Sequence, residues 1–421
     1  MSKIKIIPTG LNGIVNIPAS KSISHRLIIA AALSNGISHI ENISYSKDIL
    51  ATIDCLRNFG AEIRENKDSL IIKGCSGVKA KGKDLNCGES GSTLRFLIPA
   101  ALTAENSVRF YGQGKLVERP LNTYLKIFDE KNIKYSLDNG KLPLHIEGKL
   151  KSGIYNVEGN VSSQFITGLL YSLPLLDGDS EINITSNLES KGYIDLTIDA
   201  LKKFGIDVEN IDYKKFIVKG DKTYRAGDFR VEGDFSQAAF FLAAGILGGE
   251  ISCQGLNINS LQGDMAIINI IRKMGGDIRI EENHIKARKS ETHGIVTDVS
   301  DFPDLVPILA VIASLSIGRT NIINASRLRL KESDRLKAIT TQLNKLGADI
   351  TELEDSLIIN GRESLDGGEV ISYNDHRIAM ALSIAAIRCK NPVIINGSEA
   401  VAKSYPGFWE DYKKIGGNLV E

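Results

Sequence analysis

Six apolar segments recur along the chain at nearly constant spacing, and a capping-type residue stands at the start of each. Aligned on equivalent positions they are 68 to 73 residues apart, at Ser22, Ser92, Ser163, Ser236, Asp304 and His376. Small apolar side chains lie on all faces of each segment, which predicts a helix that is buried all round. The six segments are 20–33, 89–102, 162–176, 234–247, 302–315 and 374–387.

Each buried helix is followed by an alternating, β-branched stretch that predicts a strand, and then by a second helix. The second helices end alike, on Gly60, Asn132, Gly205, Gly275, Gly347 and Gly416. Glycine, and next best asparagine, suits the left-handed position after a helix. A hairpin with a polar turn follows, so the repeating unit is helix, strand, helix, strand, strand. Three prolines inside the apolar segments are expected to kink or shorten those helices, namely Pro99, Pro174 and Pro307.

Six such units divide naturally into two lobes of three. We expect one lobe at 20–230 and a discontinuous lobe formed by 1–19 and 231–421, with the first strands completing the second lobe. The chain then crosses between the lobes near 17–20 and 228–233, and these crossings would act as a hinge. The alternative is a continuous solenoid of six repeats.

Net charge, the length of the apolar runs and the spacing of cysteine and histidine exclude several classes of protein. The 421 residues include 51 lysines and arginines against 51 aspartates and glutamates, so a nucleic-acid or membrane partner is not expected. No apolar run is long enough for a membrane span, which favours a soluble, cytoplasmic protein. The five cysteines and six histidines show no metal-ligand spacing, so neither a disulfide framework nor a metal site is expected.

Unusual polar residues concentrate at the helix starts. Helix N-termini bind anions, and neighbouring arginine or lysine strengthens the effect, so phosphate or carboxylate ligands are expected there. Three candidates could carry acid or base chemistry, namely Asp304, Glu332 and His376. Glu332 could equally be only an ion-pair partner of its basic neighbours.

Nine ordered motifs give the chain a close resemblance to the EPSP synthase (3-phosphoshikimate 1-carboxyvinyltransferase) family. They are PASKSISHR (18–26), GESGSTLRF (88–96), VERPL (117–121), VSSQF (161–165), SKGYID (190–195), DFPD (301–304), LKESDRL (330–336), YNDHRIAM (373–380) and AKSYP (402–406). The resemblance covers essentially the whole chain. It implies an α/β fold, a two-lobed inside-out barrel of six β-α-β-α-β-β units with the helices buried and the sheets outside.

The resemblance also implies a reaction: the enolpyruvyl group of phosphoenolpyruvate moves to the 5-hydroxyl of shikimate 3-phosphate through a tetrahedral intermediate, with no metal or organic cofactor. The implied catalytic residues are Asp304, Glu332 and Lys21. Shikimate 3-phosphate would be held by Lys21, Ser22, Arg26, Ser162, Ser163, Gln164, Ser190, Tyr193, Asp304 and Lys331. Phosphoenolpyruvate would be held by Lys21, Gly91, Arg119, Gln164, Arg335, Arg377 and Lys403. We expect a monomer whose lobes close on the substrates.

Three residues depart from the family pattern, namely Glu89, Phe96 and Arg327. A carboxylate at position 89 could weaken anion binding or pair with a neighbouring arginine, and sensitivity to glyphosate is open. Two alternatives remain beside this interpretation. One is the sister family that uses UDP-N-acetylglucosamine as acceptor, although Gly114 stands where that family carries a cysteine. The other is a binding protein without turnover.

Overall fold

The computed structural model describes residues 2–75, 77–80, 82–282 and 284–420. The helices within these ranges are α1 (Lys21–Leu33), α2 (Lys47–Asn58), α3 (Gly91–Ala101), α4 (Asn122–Lys131), α5 (Ser163–Ser172), α6 (Lys191–Lys203), α7 (Phe235–Gly248), α8 (Ala266–Lys273), α9 (Val306–Ser314), α10 (Arg335–Lys345), α11 (His376–Ala385) and α12 (Phe408–Lys414).

Twice as many strands accompany these helices. They are β1 (Lys3–Ile7), β2 (Asn12–Asn16), β3 (Ile37–Glu41), β4 (Glu62–Glu65), β5 (Ser69–Lys73), β6 (Lys83–Asn86), β7 (Asn106–Tyr111), β8 (Lys134–Asp138), β9 (Lys141–Gly148), β10 (Gly153–Val157), β11 (Ser180–Ile184), β12 (Val208–Ile211), β13 (Lys215–Val218), β14 (Asp228–Arg230), β15 (Glu250–Gln254), β16 (Asp277–Glu281), β17 (His284–Arg288), β18 (Val296–Asp298), β19 (Arg319–Ile323), β20 (Asp349–Glu352), β21 (Leu357–Asn360), β22 (Gly368–Ile371), β23 (Val393–Asn396) and β24 (Asn418–Val420).

The odd-numbered helices are the six predicted buried helices, and nearly every residue in them is buried. The prolines act in three different ways. Pro99 lies inside α3, whereas α5 stops at Ser172 and the chain continues through Pro174 as a 3₁₀ turn. Pro307 lies in the first turn of α9, where its missing N–H is not needed. Helix α9 therefore begins at Val306, later than the apolar pattern predicts.

The second helices end on residues with positive φ, as the glycine pattern predicts. Gly60 follows α2 with a φ of 102°, and Asn132 follows α4 with a φ of 56°. The same left-handed turn ends the other four, at Gly205, Gly275, Gly347 and Gly416. The first five turns lead the chain into the hairpin of their unit, whereas Gly416 leads into β24, which pairs with β1.

The strands form six sheets of four strands with one common plan. In the first sheet β3 pairs in parallel with β14 and antiparallel with β5, and β5 pairs antiparallel with β4. Two sheets take up the start of the chain: β2 lies parallel to β15, and β1 lies between β23 and β24. Lys5 thus faces Ile394 on one side and Val420 on the other.

The chain divides into two compact units. The N-terminal unit is Ala19–Val231, and the C-terminal unit combines the residues up to Pro18 with those from Glu232 onward. Each unit has its own hydrophobic core, built from its three inner helices, the apolar sides of its other helices and the apolar faces of its sheets. In the described part of the chain, no helix has the length and apolar character needed to cross a membrane.

Candidate active site

The inner helices of the N-terminal unit begin with polar residues whose backbone N–H groups have no helical partner. Ser90 caps α3 by accepting a hydrogen bond from the Thr93 N–H at 3.1 Å, and Ser162 caps α5 by accepting one from the Gln164 N–H at 3.3 Å. The partial positive charge at these starts favours anionic ligands.

Lys21 begins α1, and its Nζ lies 2.7 Å from Asp48 Oδ2. Asp48 is in the first turn of α2, and both side chains are mostly buried. The lysine therefore has a fixed position and an internal counter-charge. Asp48 is not among the predicted site residues, although its place at a helix start is a usable signal.

A second group surrounds the start of α3. A Cβ on Gly91 would lie 2.6 Å from Arg119 Nη1, so the guanidinium rests directly against the glycine. Gln164 joins this group, because its Oε1 accepts a hydrogen bond from Arg95 Nη1 at 2.7 Å and its Nε2 donates to Ser92 Oγ at 3.0 Å. Residues from three different helix starts are thus brought together. Arg95 was noted in sequence but not assigned to the site.

Arg26 connects the starts of α1 and α6. Its Nη1 donates to the Ser22 carbonyl and its Nη2 to the Tyr193 carbonyl, both at 2.8 Å, while Nε donates to Thr197 Oγ1 at 3.0 Å. The guanidinium also packs against the ring of Phe96, with its carbon 5.4 Å from the ring centre. The departure at position 96 thus supports a site residue. Ser190, just before α6, is fully buried.

In the C-terminal unit, Asp304 is the meeting point of three cations. Its Oδ1 lies 2.8 Å from Arg335 Nη1 and 3.3 Å from Lys331 Nζ, and its Oδ2 lies 3.2 Å from Arg377 Nη2. Burial alone would raise the pKa of Asp304, but these cations hold it well below its ordinary value. Asp304 is therefore ionised.

Arg335 is the most heavily paired of these cations. Besides Asp304, its Nη2 lies 2.6 Å from Glu332 Oε2 and its Nε lies 2.8 Å from Asp375 Oδ2. The guanidinium is 1% exposed, and the carboxylates outweigh the effect of burial and raise its pKa. Asp375, which also caps α11, was noted in the NDHR motif without a role.

Arg377 has a further partner, and one more predicted cation, Lys403, lies in the same unit. Arg377 Nη2 also donates to Ser236 Oγ at 3.0 Å, and Lys403 Nζ donates to the Asn374 carbonyl at 2.6 Å. His376, an acid or base candidate from the sequence, is buried with its Nδ1 4.0 Å from Asp375 Oδ1.

The other two departures from the family pattern, Arg327 and Glu89, each lie beside a residue of the candidate site or its neighbouring loop. Burial lowers the pKa of Lys331, and the nearby charges of Arg335 and Arg327 lower it further. Glu89 lies against Gly114, where an added Cβ would be 2.5 Å from Glu89 Oε2. Among the described residues, no group of three or more histidine, cysteine, aspartate and glutamate side chains could hold a metal ion.

Comparisons with known proteins agree with this arrangement. The sequence profile of EPSP synthase (3-phosphoshikimate 1-carboxyvinyltransferase) matches residues 6–412. The 3-phosphoshikimate 1-carboxyvinyltransferase of Clostridium acetobutylicum is 59% identical over 100% of this chain and 99% of its own, and that of Clostridium novyi is 56% identical over the same shares.

Among solved structures, EPSP synthase from Acinetobacter baumannii has a TM-score of 0.85 at 28% identity, covering 100% of both chains. The implied two-lobed α/β fold is thereby confirmed. The profile match and the identities over the full length lead to one conclusion: the chain belongs to the EPSP synthase family, the 3-phosphoshikimate 1-carboxyvinyltransferases.

Proposed function

We propose that the polar residues at the helix starts divide between the two substrates of the family's reaction. In that reaction the chain transfers the enolpyruvyl group of phosphoenolpyruvate to the 5-hydroxyl of shikimate 3-phosphate and releases phosphate. The observation that carries the assignment is the pairing of Asp304 and Glu332 on one buried guanidinium, that of Arg335. The candidate base Asp304 and the candidate acid Glu332 therefore both contact the side chain of Arg335.

Shikimate 3-phosphate is assigned to the serines and the arginine of the N-terminal unit. Two of the five N–H groups of Arg26, one on each terminal nitrogen, have no protein partner among the described residues and are available to the phosphate. The proposed set is completed in the N-terminal unit by Lys21, Ser22, Ser162, Ser163, Gln164, Ser190 and Tyr193, and in the C-terminal unit by Asp304 and Lys331.

Phosphoenolpyruvate is assigned to the remaining cations, whose planar or point charges suit a phosphate and a carboxylate. In the N-terminal unit these are Lys21 and Arg119, beside Gly91 and Gln164. In the C-terminal unit they are Arg335, Arg377 and Lys403. Internal carboxylates already hold Arg335, and the substrate carboxylate is proposed to replace one of them.

The replaced carboxylate is proposed to be that of Glu332. In the structure it lies 2.6 Å from Arg335 Nη2. Once released it takes up a proton and delivers it to the methylene carbon of phosphoenolpyruvate. The hydroxyl of shikimate 3-phosphate then adds to the cationic carbon, and its proton passes to Asp304. Loss of phosphate and of one methyl proton from the adduct gives the enol ether.

Release of inorganic phosphate tests the acceptor. The purified protein is given phosphoenolpyruvate with shikimate 3-phosphate and, separately, with UDP-N-acetylglucosamine. We expect release only with shikimate 3-phosphate. Release only with the nucleotide sugar would favour the sister family, and silence with both would favour a binding protein.

Substitution of Glu332 tests its role. We expect Glu332→Gln to lower kcat by about a hundredfold or more and to change substrate affinity far less. Glu363→Gln, at an exposed glutamate of the same unit, is the matched control and should leave kcat unchanged. Equal losses of turnover and affinity would contradict the assignment of Glu332 as the acid.

Three further expectations stay predictions. The protein is expected to be cytoplasmic and to be a monomer of 45.8 kDa, and light scattering on a sizing column tests its mass in solution. Closure about the crossings at 18–19 and 231–232 should change the small-angle scattering profile when shikimate 3-phosphate is added. Superimposable profiles would contradict closure.

A further inference from the structure

The turn Gly263–Met265, just before α8, is fixed against the start of α7. The fixing residue is Gln262, whose Oε1 accepts a hydrogen bond from the Phe235 N–H at 3.0 Å. Its Nε2 donates to the Gly233 carbonyl at 2.9 Å and to Glu232 Oε1 at 2.7 Å. The backbone at Asp264 is therefore held in place from one side.

The loop that leads to Asp304 holds the same turn from the other side. A Cβ on Gly263 would lie 3.1 Å from the Asp301 carbonyl oxygen, so the two loops are in close contact. Asp264, the next residue in this turn, is 6% exposed. Nothing in the proposed reaction uses this carboxyl.

The charged groups that face Asp264 are those of the proposed catalytic network. Two are carboxylates, Asp304 and Asp234, and two are cations, Arg377 and Lys331. Arg377 and Lys331 also pair directly with Asp304, at 3.2 Å and 3.3 Å. Asp264 and Asp304 therefore compete for the same positive charge.

We propose that Asp264 is a positioning residue for the reaction: its ionised carboxylate draws on the charges of Arg377 and Lys331 and so makes Asp304 a stronger base. The proposal rests on the proposed function, in which Asp304 accepts the proton of the acceptor hydroxyl. A carboxylate held by three cations binds a proton weakly, and a second carboxylate beside it offsets that hold.

The ionisation of Asp264 falls in the working range of pH. Burial, and next the charge of Asp304, raise the pKa of Asp264 to about 7. Below that pH the group is neutral and leaves both cations to Asp304. Above it the group is charged and the basicity of Asp304 increases. The rate of the chemical step should therefore rise through neutral pH.

The test is the single-turnover rate of enolpyruvyl transfer from pH 5.5 to pH 8.5, in the wild-type enzyme and in Asp264→Asn. The ratio of the two rates cancels the titration of the substrate phosphates, which is common to both. We expect the ratio of wild type to variant to rise about fivefold through pH 7. A ratio that is the same at every pH would show a structural role only and would overturn the proposal.

Asp277→Asn, at an exposed ion pair in the same unit, is the matched control and should reproduce the wild-type profile. If Asp264→Asn does not fold, carboxyl ¹³C signals of the wild-type enzyme decide. We expect Asp264 to titrate near pH 7 and the Asp304 signal to shift in the same step, and an Asp304 signal that stays constant there would overturn the proposal.

Substitution of Asp304 separates this inference from the proposed function. If Asp304→Asn keeps full activity, the assignment of the base fails and the role of Asp264 fails with it. If Asp304→Asn is inactive and the Asp264→Asn ratio is flat, only the role of Asp264 fails.

Discussion

Gly91, at the first position of α3, has polar side chains where a Cβ would point. That Cβ would lie 2.6 Å from Arg119 Nη1 and 3.4 Å from Gln164 Oε1. Because the nearest atom ends a flexible side chain, Gly91→Ala should fold but must displace the guanidinium. We expect the KM for phosphoenolpyruvate to rise about tenfold and kcat to change less, measured by steady-state phosphate release.

A matched substitution checks that the effect comes from Arg119. Gly407 has an ordinary backbone conformation, and the nearest atom to its Cβ position is 4.0 Å away. Gly407→Ala should therefore leave the KM unchanged. If Gly91→Ala also leaves it unchanged, Arg119 does not bind phosphoenolpyruvate.

His25 gives the protein a pH-dependent stability. Burial, and next the charges of Lys21 and Arg26, lower the pKa of His25 well below its ordinary value of 6.5. The unfolded chain therefore binds a proton below about pH 6.5 that the folded chain does not. We expect the free energy of unfolding of the wild type, relative to that of His25→Gln, to fall as the pH drops below that value, with both proteins measured by urea titration. An equal slope in both proteins would refute the assignment.

At this scale the sequence predicts the candidate cations of the site and two of their carboxylate partners, Asp304 and Glu332, and it misses two others. Lys21, Arg335 and Arg377 stand out because basic residues at buried helix starts are unusual. Their counter-charges Asp48 and Asp375 do not, because an aspartate at a helix start is also an ordinary cap. Which carboxylate meets which cation depends on how helices from different units pack, and spacing along the chain does not carry that information.

Among the elements, helix starts are best predicted where the cap is a side chain. Ser90, Ser162 and Asp375 each cap an inner helix within one residue of the start that the pattern predicts. The start of α9 is misplaced because Pro303 and Asp304 form a 3₁₀ turn first. The apolar pattern is the same in a tight turn and in a helix, so it does not separate the two.

The cap of α10 offers a prediction at this scale. Asp334 accepts a hydrogen bond from the Lys337 N–H at 3.1 Å and pairs with Arg329 Nη1 at 2.9 Å. We expect Asp334→Ala to lower the free energy of unfolding by about 1 kcal/mol, because an N-cap contributes about that much. Urea denaturation measures it.

Asparagine at the same position is the control, since it caps a helix as well as aspartate but carries no charge. Asp334→Asn should keep most of the stability, because the ion pair is partly exposed and contributes little. If the asparagine variant is as unstable as the alanine variant, the charge and not the cap stabilises this helix start.

For the molecule as a whole, spacing of about seventy residues predicts six units of one kind, and six sheets with one strand order agree with it. The architecture can be predicted from the repeats because the same pattern of buried and exposed positions recurs in every unit. The two hydrophobic cores have no residue in common. This separation leads to a prediction about fragments.

The fragment 19–231 contains the complete core of its unit and the four strands of each of its three sheets. We expect it to unfold cooperatively on its own, measured by circular dichroism during heating. The fragment 232–421 lacks β1 and β2, and β1 is an inner strand of its sheet, so it should show no such transition. Cooperative unfolding of 232–421 alone would contradict this expectation.

The position of β1 between β23 and β24 also determines how late in synthesis the sheet that contains it can form. Of the described strands, β1 leaves the ribosome first, and it pairs with Val393–Asn396 and Asn418–Val420, which leave it last. At about 5–20 residues per second, that strand waits roughly 20 to 80 s for its neighbours. The whole of 19–231 emerges during this wait. The unit that contains both chain ends is therefore the last to fold, and its opening strand needs protection from other partners until then.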